Sequence, residues 1–191
     1  MRLHELIRHD WIGLDVGCGP HIGKMAEYGI DPAPVPERYR TDKFKQASVY
    51  EIPYPDNYFD YVCSAHLIEH LERPLEAVIE MARVAKRMVF ANIPRYTLDP
   101  KKLTGCVSLD YYYLAEHPEK IQELGLELYL DKNRVMPVGA TEFWGYEANH
   151  CQWFPNPKDG YDLFKQTGCF RNIIAEVTPH NCGESDIIGY L

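Results

Sequence analysis

Residues 12–20 read Ile-Gly-Leu-Asp-Val-Gly-Cys-Gly-Pro, an apolar run that ends in an acid and two glycines one residue apart. This pattern predicts a buried strand that runs into a tight turn. Glycine tolerates a positive φ and lets a ligand approach the main chain closely. The carboxylate of Asp15, just before the turn, can accept hydrogen bonds from an amino group. The stretch therefore predicts a ligand site at the end of the first strand.

Strands and helices alternate through the first half of the chain. The patterns predict strands at 11–16, 28–31, 44–50, 59–65 and 87–94, and helices at 1–10, 20–28 and 74–86, the second with at most two turns. This alternation predicts a parallel α/β sheet, in which ligands bind beyond the carboxyl ends of the strands. Asp15, Asp31, Ser48 and Ala65 fall at such ends.

The second half has weaker periodicity. It suggests helices at 111–123 and 159–167 and strands at 126–130, 170–177 and 187–191. Residues 140–157 are dense in aromatic side chains and have no clear period. They form either a cover over a substrate or a secondary hydrophobic cluster under a loop.

Composition excludes several classes of protein. The 191 residues carry a formal net charge of -8 and no basic stripe, so a nucleic-acid partner is not expected. No apolar run reaches a membrane-spanning length, and the N-terminus is too polar for a signal peptide. The six cysteines form no C-x-x-C pair, which suggests reduced thiols. We expect a single cytoplasmic domain over residues 1–191.

Three segments carry a family resemblance: Leu14-Asp15-Val16-Gly17-Cys18-Gly19-Pro20, then Gly29-Ile30-Asp31, then residues 52–84. The last segment contains the runs IPYPDNYFDYV, AHLIEHL and EMARV. In this order they resemble the class I S-adenosylmethionine (SAM) dependent methyltransferases of type 11, in a small subgroup with a shortened first helix.

The resemblance implies a fold and an activity. The fold would be a Rossmann-like three-layer α/β/α sandwich with a mostly parallel seven-stranded sheet and an antiparallel last strand. Residues 11–94 would form the SAM-binding core, and residues 95–191 the substrate side and last strands. The activity would be transfer of the SAM methyl group to a small-molecule acceptor by in-line displacement.

The resemblance also assigns residues to the cofactor. The Gly17–Gly19 turn would lie against the amino acid end of SAM, and Asp31 would accept hydrogen bonds from both ribose hydroxyls. Ser48 stands where the family usually has an aspartate that binds the adenine amino group. The implied cofactor-binding residues are Asp15, Gly17, Cys18, Gly19, Asp31, Ser48, Val49 and Ala65.

Candidates for catalysis and substrate binding lie outside the glycine turn. His66 follows the fourth strand and is the first candidate for a general base. The aromatic segment offers Trp144, Tyr146 and His150 as substrate contacts. For His70 and His150 a hydrogen-bonded structural role is the favoured interpretation.

Three other functions compete with methyl transfer. His66-Leu67-Ile68-Glu69-His70 matches the H-x-x-E-H zinc pattern of a hydrolase, which requires both histidines on one helix face. A G-x-G-x-x-x-G run from Gly17 to Gly23 also fits a dinucleotide turn, but Asp31 follows too soon for that fingerprint. A degenerate domain that binds SAM without catalysis is the third. We assign no metal ligands from the sequence.

Overall fold

The computed structural model describes residues 3–19, 26–34, 41–102, 107–110, 113–114, 117–126, 150–179 and 183–191. The strands are β1 Gly13–Val16, β2 Tyr28–Asp31, β3 Phe44–Gln46, β4 Phe59–Ala65, β5 Ala85–Pro94, β6 Tyr96–Thr97, β7 Ser108–Leu109, β8 Asn172–Val177 and β9 Glu184–Tyr190. The helices are α1 Leu3–Leu6, α2 Pro74–Val84, α3 Pro118–Glu123 and α4 Pro157–Gln166.

Seven strands form one sheet in the order β3-β2-β1-β4-β5-β9-β8, and β6 pairs with β7 apart from it. β1 to β5 are parallel, whereas β9 runs antiparallel to both of its neighbours. The predicted mostly parallel sheet with an antiparallel last strand is confirmed. Because β1 lies between β2 and β4, the strand order reverses there, and ligands bind at such a point in open α/β sheets.

The sheet is covered on both faces, as β5 illustrates. Val89, Ala91 and Ile93 pack into a core with α2 and α4, while Met88 and Phe90 pack with α1 on the opposite face. This alternation follows from the two-residue period of a strand. The outcome is the predicted three-layer arrangement. Among the described helices, none combines the length and apolarity that crossing a membrane requires.

Several predicted boundaries were wrong. The described part of the first helix ends at Leu6 instead of residue 10, and β1 begins at Gly13 instead of residue 11. β3 ends at Gln46 because the chain then turns, with the Glu51 N–H donating to the Ser48 carbonyl. Ser48 and Val49 therefore lie on a turn and not on a strand.

The other corrections concern helices. α2 ends at Val84, two residues early, and β5 begins directly at Ala85. In the predicted helix 111–123, Tyr113 and Leu114 are helical, but His117 has φ -124° and ψ 65°, which interrupts the helix, so α3 begins at Pro118. A residue before proline is driven out of the helical region. Most of the predicted 20–28 helix and of the 126–130 strand lies outside the described residues.

The Glu80–Arg83 pair explains why the EMARV run matters physically. The Arg83 guanidinium donates to the Glu80 carboxylate, to the Asp56 carboxylate and to the backbone carbonyls of Ile52 and Tyr54. Glu80 in turn accepts from the Ile52 N–H at 2.8 Å. One side chain of α2 thus fastens the loop that leads from β3 to β4.

We expect Arg83→Ala to lower the free energy of unfolding by about 2 kcal/mol, because two loop carbonyls and two carboxylates lose a charged donor. Lys120→Ala is the matched control. Lys120 pairs with Glu123 three residues away on the exposed surface of α3, and such pairs contribute about 0.5 kcal/mol or less. Urea unfolding followed by circular dichroism measures both. If both variants lost the same free energy of unfolding, the proposed role of Arg83 in holding the loop between β3 and β4 would be contradicted.

Candidate functional site

The glycine turn after β1 is tied to the end of β2. The N–H groups of Gly17 and Cys18 both donate to the Ile30 carbonyl, at 2.9 and 3.1 Å. Gly17 and Gly19 have φ values of 73° and 61°, the left-handed region that glycine adopts without a steric penalty. The predicted tight turn is confirmed, and the structure explains why both glycines stand there.

Gly17 also has a packing reason to lack a side chain. A Cβ added at Gly17 would lie 2.9 Å from Leu67 Cδ1, whereas one at Gly19 meets none of the described residues within 4 Å. The turn therefore approaches the segment after β4 closely at Gly17. This close approach helps to wall a cavity.

Asp31 closes the turn from the other side. Its carboxylate accepts from the Gly19 N–H at 2.8 Å and from the Ala33 N–H at 2.9 Å, one on each oxygen. The side chain is buried. Asp31 thus holds the glycine turn in place with both carboxylate oxygens.

A cavity of about 110 Å³ lies beside the turn. Its walls come from β1, the end of β2, the turn after β3 and the segment after β4: Val16, Gly17, Ile30, Pro32, Ala47, Ser48, Val49, Tyr50, Leu67 and Leu71. Gly17, Ser48 and Val49 had been predicted as binding residues. Tyr50, Leu67 and Leu71 had not, because sequence spacing does not show which loops meet.

Cys18 is a poor nucleophile in this site. Burial, together with the neighbouring Asp15 and Asp31 carboxylates, raises the pKa of the Cys18 thiol to about 12. A thiol in this environment stays protonated at neutral pH, and the thiolate is the reactive form. Cys18 can therefore line a binding surface but not attack a substrate.

His66 occupies a constrained position directly after β4. Its φ is 53°, unusual for a residue with a side chain, and its N–H donates to the Asn92 carbonyl at 3.0 Å. The ring is half exposed, and its Nε2 donates to Glu184 Oε1 at 3.2 Å. Because Glu184 accepts at Nε2, the neutral ring presents Nδ1 as its basic nitrogen.

A second group of polar side chains lies next to His66, centred on Glu69. Glu69 is 1% exposed, and neither carboxylate oxygen has a hydrogen-bond partner among the described residues. Its Oε1 lies 3.6 Å from His70 Nε2 and 3.8 Å from His66 Nδ1. Burial raises the pKa of the Glu69 carboxyl to about 7, and the Asp110 and Glu184 carboxylates add to the rise.

His150 joins this group from a distant part of the chain. It is buried, and its Nδ1 donates to Asp110 Oδ2 at 2.5 Å. Its ring lies 4.6 Å from the His70 ring, and the N–H groups of the next two residues, Cys151 and Gln152, donate to the Glu69 carbonyl. The favoured structural interpretation of His150 fits these contacts. Asp110 and Glu184 were missed, since no sequence spacing links them to the motif.

The structure of residues 66–70 does not support the zinc-hydrolase alternative. Residues Ile68–His70 form a single 3-10 turn, and His66 precedes it with a positive φ. The H-x-x-E-H pattern needs both histidines on one α-helix face, and this segment has no such helix. Trp144 and Tyr146 lie outside the described residues.

Comparison with known proteins agrees with the geometry. Residues 14–90 match the family model described as "Methyltransferase domain", a range that contains most of β1, the glycine turn, β2 to β4, α2 and most of β5. Over residues 14–90 the chain is therefore similar to this methyltransferase family. An uncharacterized methyltransferase of Schizosaccharomyces pombe is 29% identical over 98 residues, which cover 38% of this chain and 35% of that protein. The chain thus matches about a third of the length of this curated relative.

Solved methyltransferases share the fold across nearly the whole chain. A SAM-dependent methyltransferase of Thermotoga maritima, described as a possible histamine N-methyltransferase, has a TM-score of 0.56 at 15% identity and covers 98% of this chain and 84% of its own. A SAM-dependent methyltransferase of Archaeoglobus fulgidus has a TM-score of 0.55 at 16% identity, with 100% and 91% covered. At these identities the likeness establishes the architecture alone.

The residues around the glycine turn fit SAM, the cofactor of the methyltransferases that the chain resembles. A turn with glycine at positions 17 and 19, a buried carboxylate at Asp31 and a mostly apolar cavity lie together at the point where the strand order reverses. In this order, the three features suit the amino acid end, the ribose hydroxyls and the adenine of SAM. The residues present therefore fit the group.

Proposed function

We propose that this chain transfers the methyl group of SAM to a small-molecule acceptor. The observation that carries the proposal is the joint position of the glycine turn, Asp31 and the cavity, within the residues that match the methyltransferase family. The net charge of -8 disfavours nucleic acid as the acceptor. Four described cysteines without a disulfide support a reducing, cytoplasmic setting.

Each predicted cofactor residue has a proposed task. Asp15 and the main chain of Gly17, Cys18 and Gly19 hold the amino acid end, and Asp31 binds the ribose. Ser48 and Val49, on the cavity wall, hold the adenine, while Ala65 ends β4 beside the reacting centre. When bound, SAM supplies a methyl carbon that its sulfonium already activates. The protein then contributes mainly orientation.

His66 is the proposed general base for an acceptor that must lose a proton. Glu184 holds Nε2–H and so leaves Nδ1 to receive the proton. The Glu69 carboxyl, 3.8 Å from Nδ1, stabilises the imidazolium when it is ionised. His150, Trp144 and Tyr146 remain the proposed substrate contacts, of which His150 is joined to Asp110.

Two measurements test the proposal in sequence. Calorimetric titration of the full chain with SAM, and with demethylated SAM as the product, should give one site per chain. Transfer of a labelled methyl group to an acceptor panel of phenols, amines and sugars should then give turnover. No binding would overturn the proposal, whereas binding without turnover would support the degenerate SAM-binding alternative.

Replacement of His66 tests whether this residue acts in the methyl-transfer step or in SAM binding. His66→Gln should lower kcat by about 100-fold to 10,000-fold with a hydroxyl acceptor, the usual contribution of general base catalysis, and leave SAM affinity within about twofold. His9→Gln, an exposed histidine in the turn after α1, should change neither value. An unchanged kcat in His66→Gln would remove His66 from the mechanism.

A further inference from the structure

We infer that Glu69, His70 and His150 form a binding site for a divalent transition metal such as Zn²⁺. The three side chains offer one carboxylate oxygen and two imidazole nitrogens, all within 4.8 Å of one another. This inference goes beyond methyl transfer and does not depend on it. It also replaces the expectation from the sequence that no metal site is present.

The separation of Glu69 and His70 is close to the spacing of two ligands on one metal ion. Zinc bound tetrahedrally at about 2.0–2.1 Å keeps its ligand atoms about 3.4 Å apart. Glu69 Oε1 and His70 Nε2 are 3.6 Å apart, beyond hydrogen-bond length and close to that spacing. His66 approaches the same oxygen at 3.8 Å but is not part of the group whose ligand atoms are mutually close.

The buried Glu69 carboxylate is the second, independent observation. It is 1% exposed, and neither oxygen has a hydrogen-bond partner among the described residues. A buried, unpaired carboxylate costs several kcal/mol when it is charged, and a bound cation removes that cost. A buried carboxylate without a hydrogen bond, grouped with the imidazole rings of His70 and His150, is therefore the arrangement that a metal would complete.

Asp110 supplies the outer-shell contact that metal-bound histidines usually have. It accepts from His150 Nδ1 at 2.5 Å, which fixes the tautomer and makes Nε2 the unprotonated nitrogen. Trp153 Nε1 donates to the same Asp110 oxygen at 3.2 Å and holds it in place. Two imidazoles and one carboxylate favour zinc, iron, cobalt or nickel over magnesium and calcium, which prefer oxygen ligands alone.

Solvent reaches the proposed metal site at His70. The His70 side chain is 28% exposed, whereas those of Glu69 and His150 are 2% and 6% exposed. With three protein ligands, zinc keeps a fourth position for water or another oxygen donor. The metal would thus enter past His70.

Titration of the chelator-treated full chain with ZnCl₂, followed by calorimetry and by the shift in melting temperature, tests this inference. We expect one zinc per chain. Glu69→Gln should weaken binding more than about 100-fold, and Asp110→Asn by about 10-fold to 100-fold, the usual cost of losing an outer-shell partner. The melting temperature of each variant without zinc shows whether it is folded.

Two control variants make the outcome specific. Cys151→Ser, adjacent to His150, and His9→Ala, an exposed histidine, should bind zinc like the unmodified chain. Absence of stoichiometric binding would overturn the inference. Binding that survives Glu69→Gln, or that Cys151→Ser abolishes, would place the zinc elsewhere and overturn it as well.

Discussion

Asp31→Asn is expected to raise the dissociation constant for SAM at least about 100-fold. The proposed ribose contacts are two hydrogen bonds to a charged acceptor, each contributing about 1.5–3 kcal/mol, and every 1.4 kcal/mol is tenfold in affinity. The amide also leaves one of two backbone donors, Gly19 N–H or Ala33 N–H, without its oxygen, which loosens the turn. Calorimetric titration measures the change.

Asp42→Asn provides the matched control for this experiment. Asp42 is an exposed carboxylate in the loop before β3, so its replacement should leave SAM affinity unchanged. Thermal melting of both variants by circular dichroism establishes that the fold is retained. A folded Asp31→Asn protein that binds SAM as tightly as the unmodified chain would refute the proposed ribose contact.

The second large effect concerns stability and pH at Glu69. The folded pKa of about 7 lies above the ordinary value of 4.5, so the folded state favours the protonated carboxyl. Stability from this group is therefore fully present below pH 4.5 and is lost as pH rises through 7. A difference of that size corresponds to roughly 3 kcal/mol. The groups that face Glu69 are His66, His70, His150, Asp110 and Glu184.

Glu69→Gln removes this dependence because an amide does not ionise. In metal-free protein, we expect the variant to gain roughly 3 kcal/mol relative to the unmodified chain between pH 4.5 and pH 8, about 6–12 °C in melting temperature for a chain of this size. Glu76→Gln, on the exposed first turn of α2, should show no such relative gain. Parallel pH profiles of the Glu69→Gln and unmodified proteins would contradict the expectation.

The interior of α2 shows what apolar spacing leaves open. The spacing favours an inner side made of Leu75, Val78, Ile79, Ala82 and Val84 or Ala85. The structure buries Val78, Ala82, Val84 and Ala85 and packs the half-buried Leu75 against the same core. The prediction was wrong for Ile79, which is 42% exposed, and it omitted the buried Ala77 and Met81. Periodicity identifies the apolar side of the helix, but the sheet that the helix packs against decides which of these residues become buried.

Much of the candidate SAM site could be predicted from the sequence because it depends on residues that are close together in the chain. The glycines are required by backbone angles at Gly17 and Gly19, and Asp31 ends a strand whose apolar run is visible in the sequence. Parallel strands bring such ends to one edge of the sheet. The roles of these residues toward SAM stay predictions.

The sequence by itself determined the order of the elements, the glycine turn and the acids at the strand ends, since each depends on neighbouring residues. Only the tertiary structure decided which side chains surround Glu69. His150 and Asp110 are 40 residues apart, and Glu184 lies 118 residues from His66. Such contacts arise when loops from separate strands meet at one edge of the sheet, and no local pattern encodes that meeting.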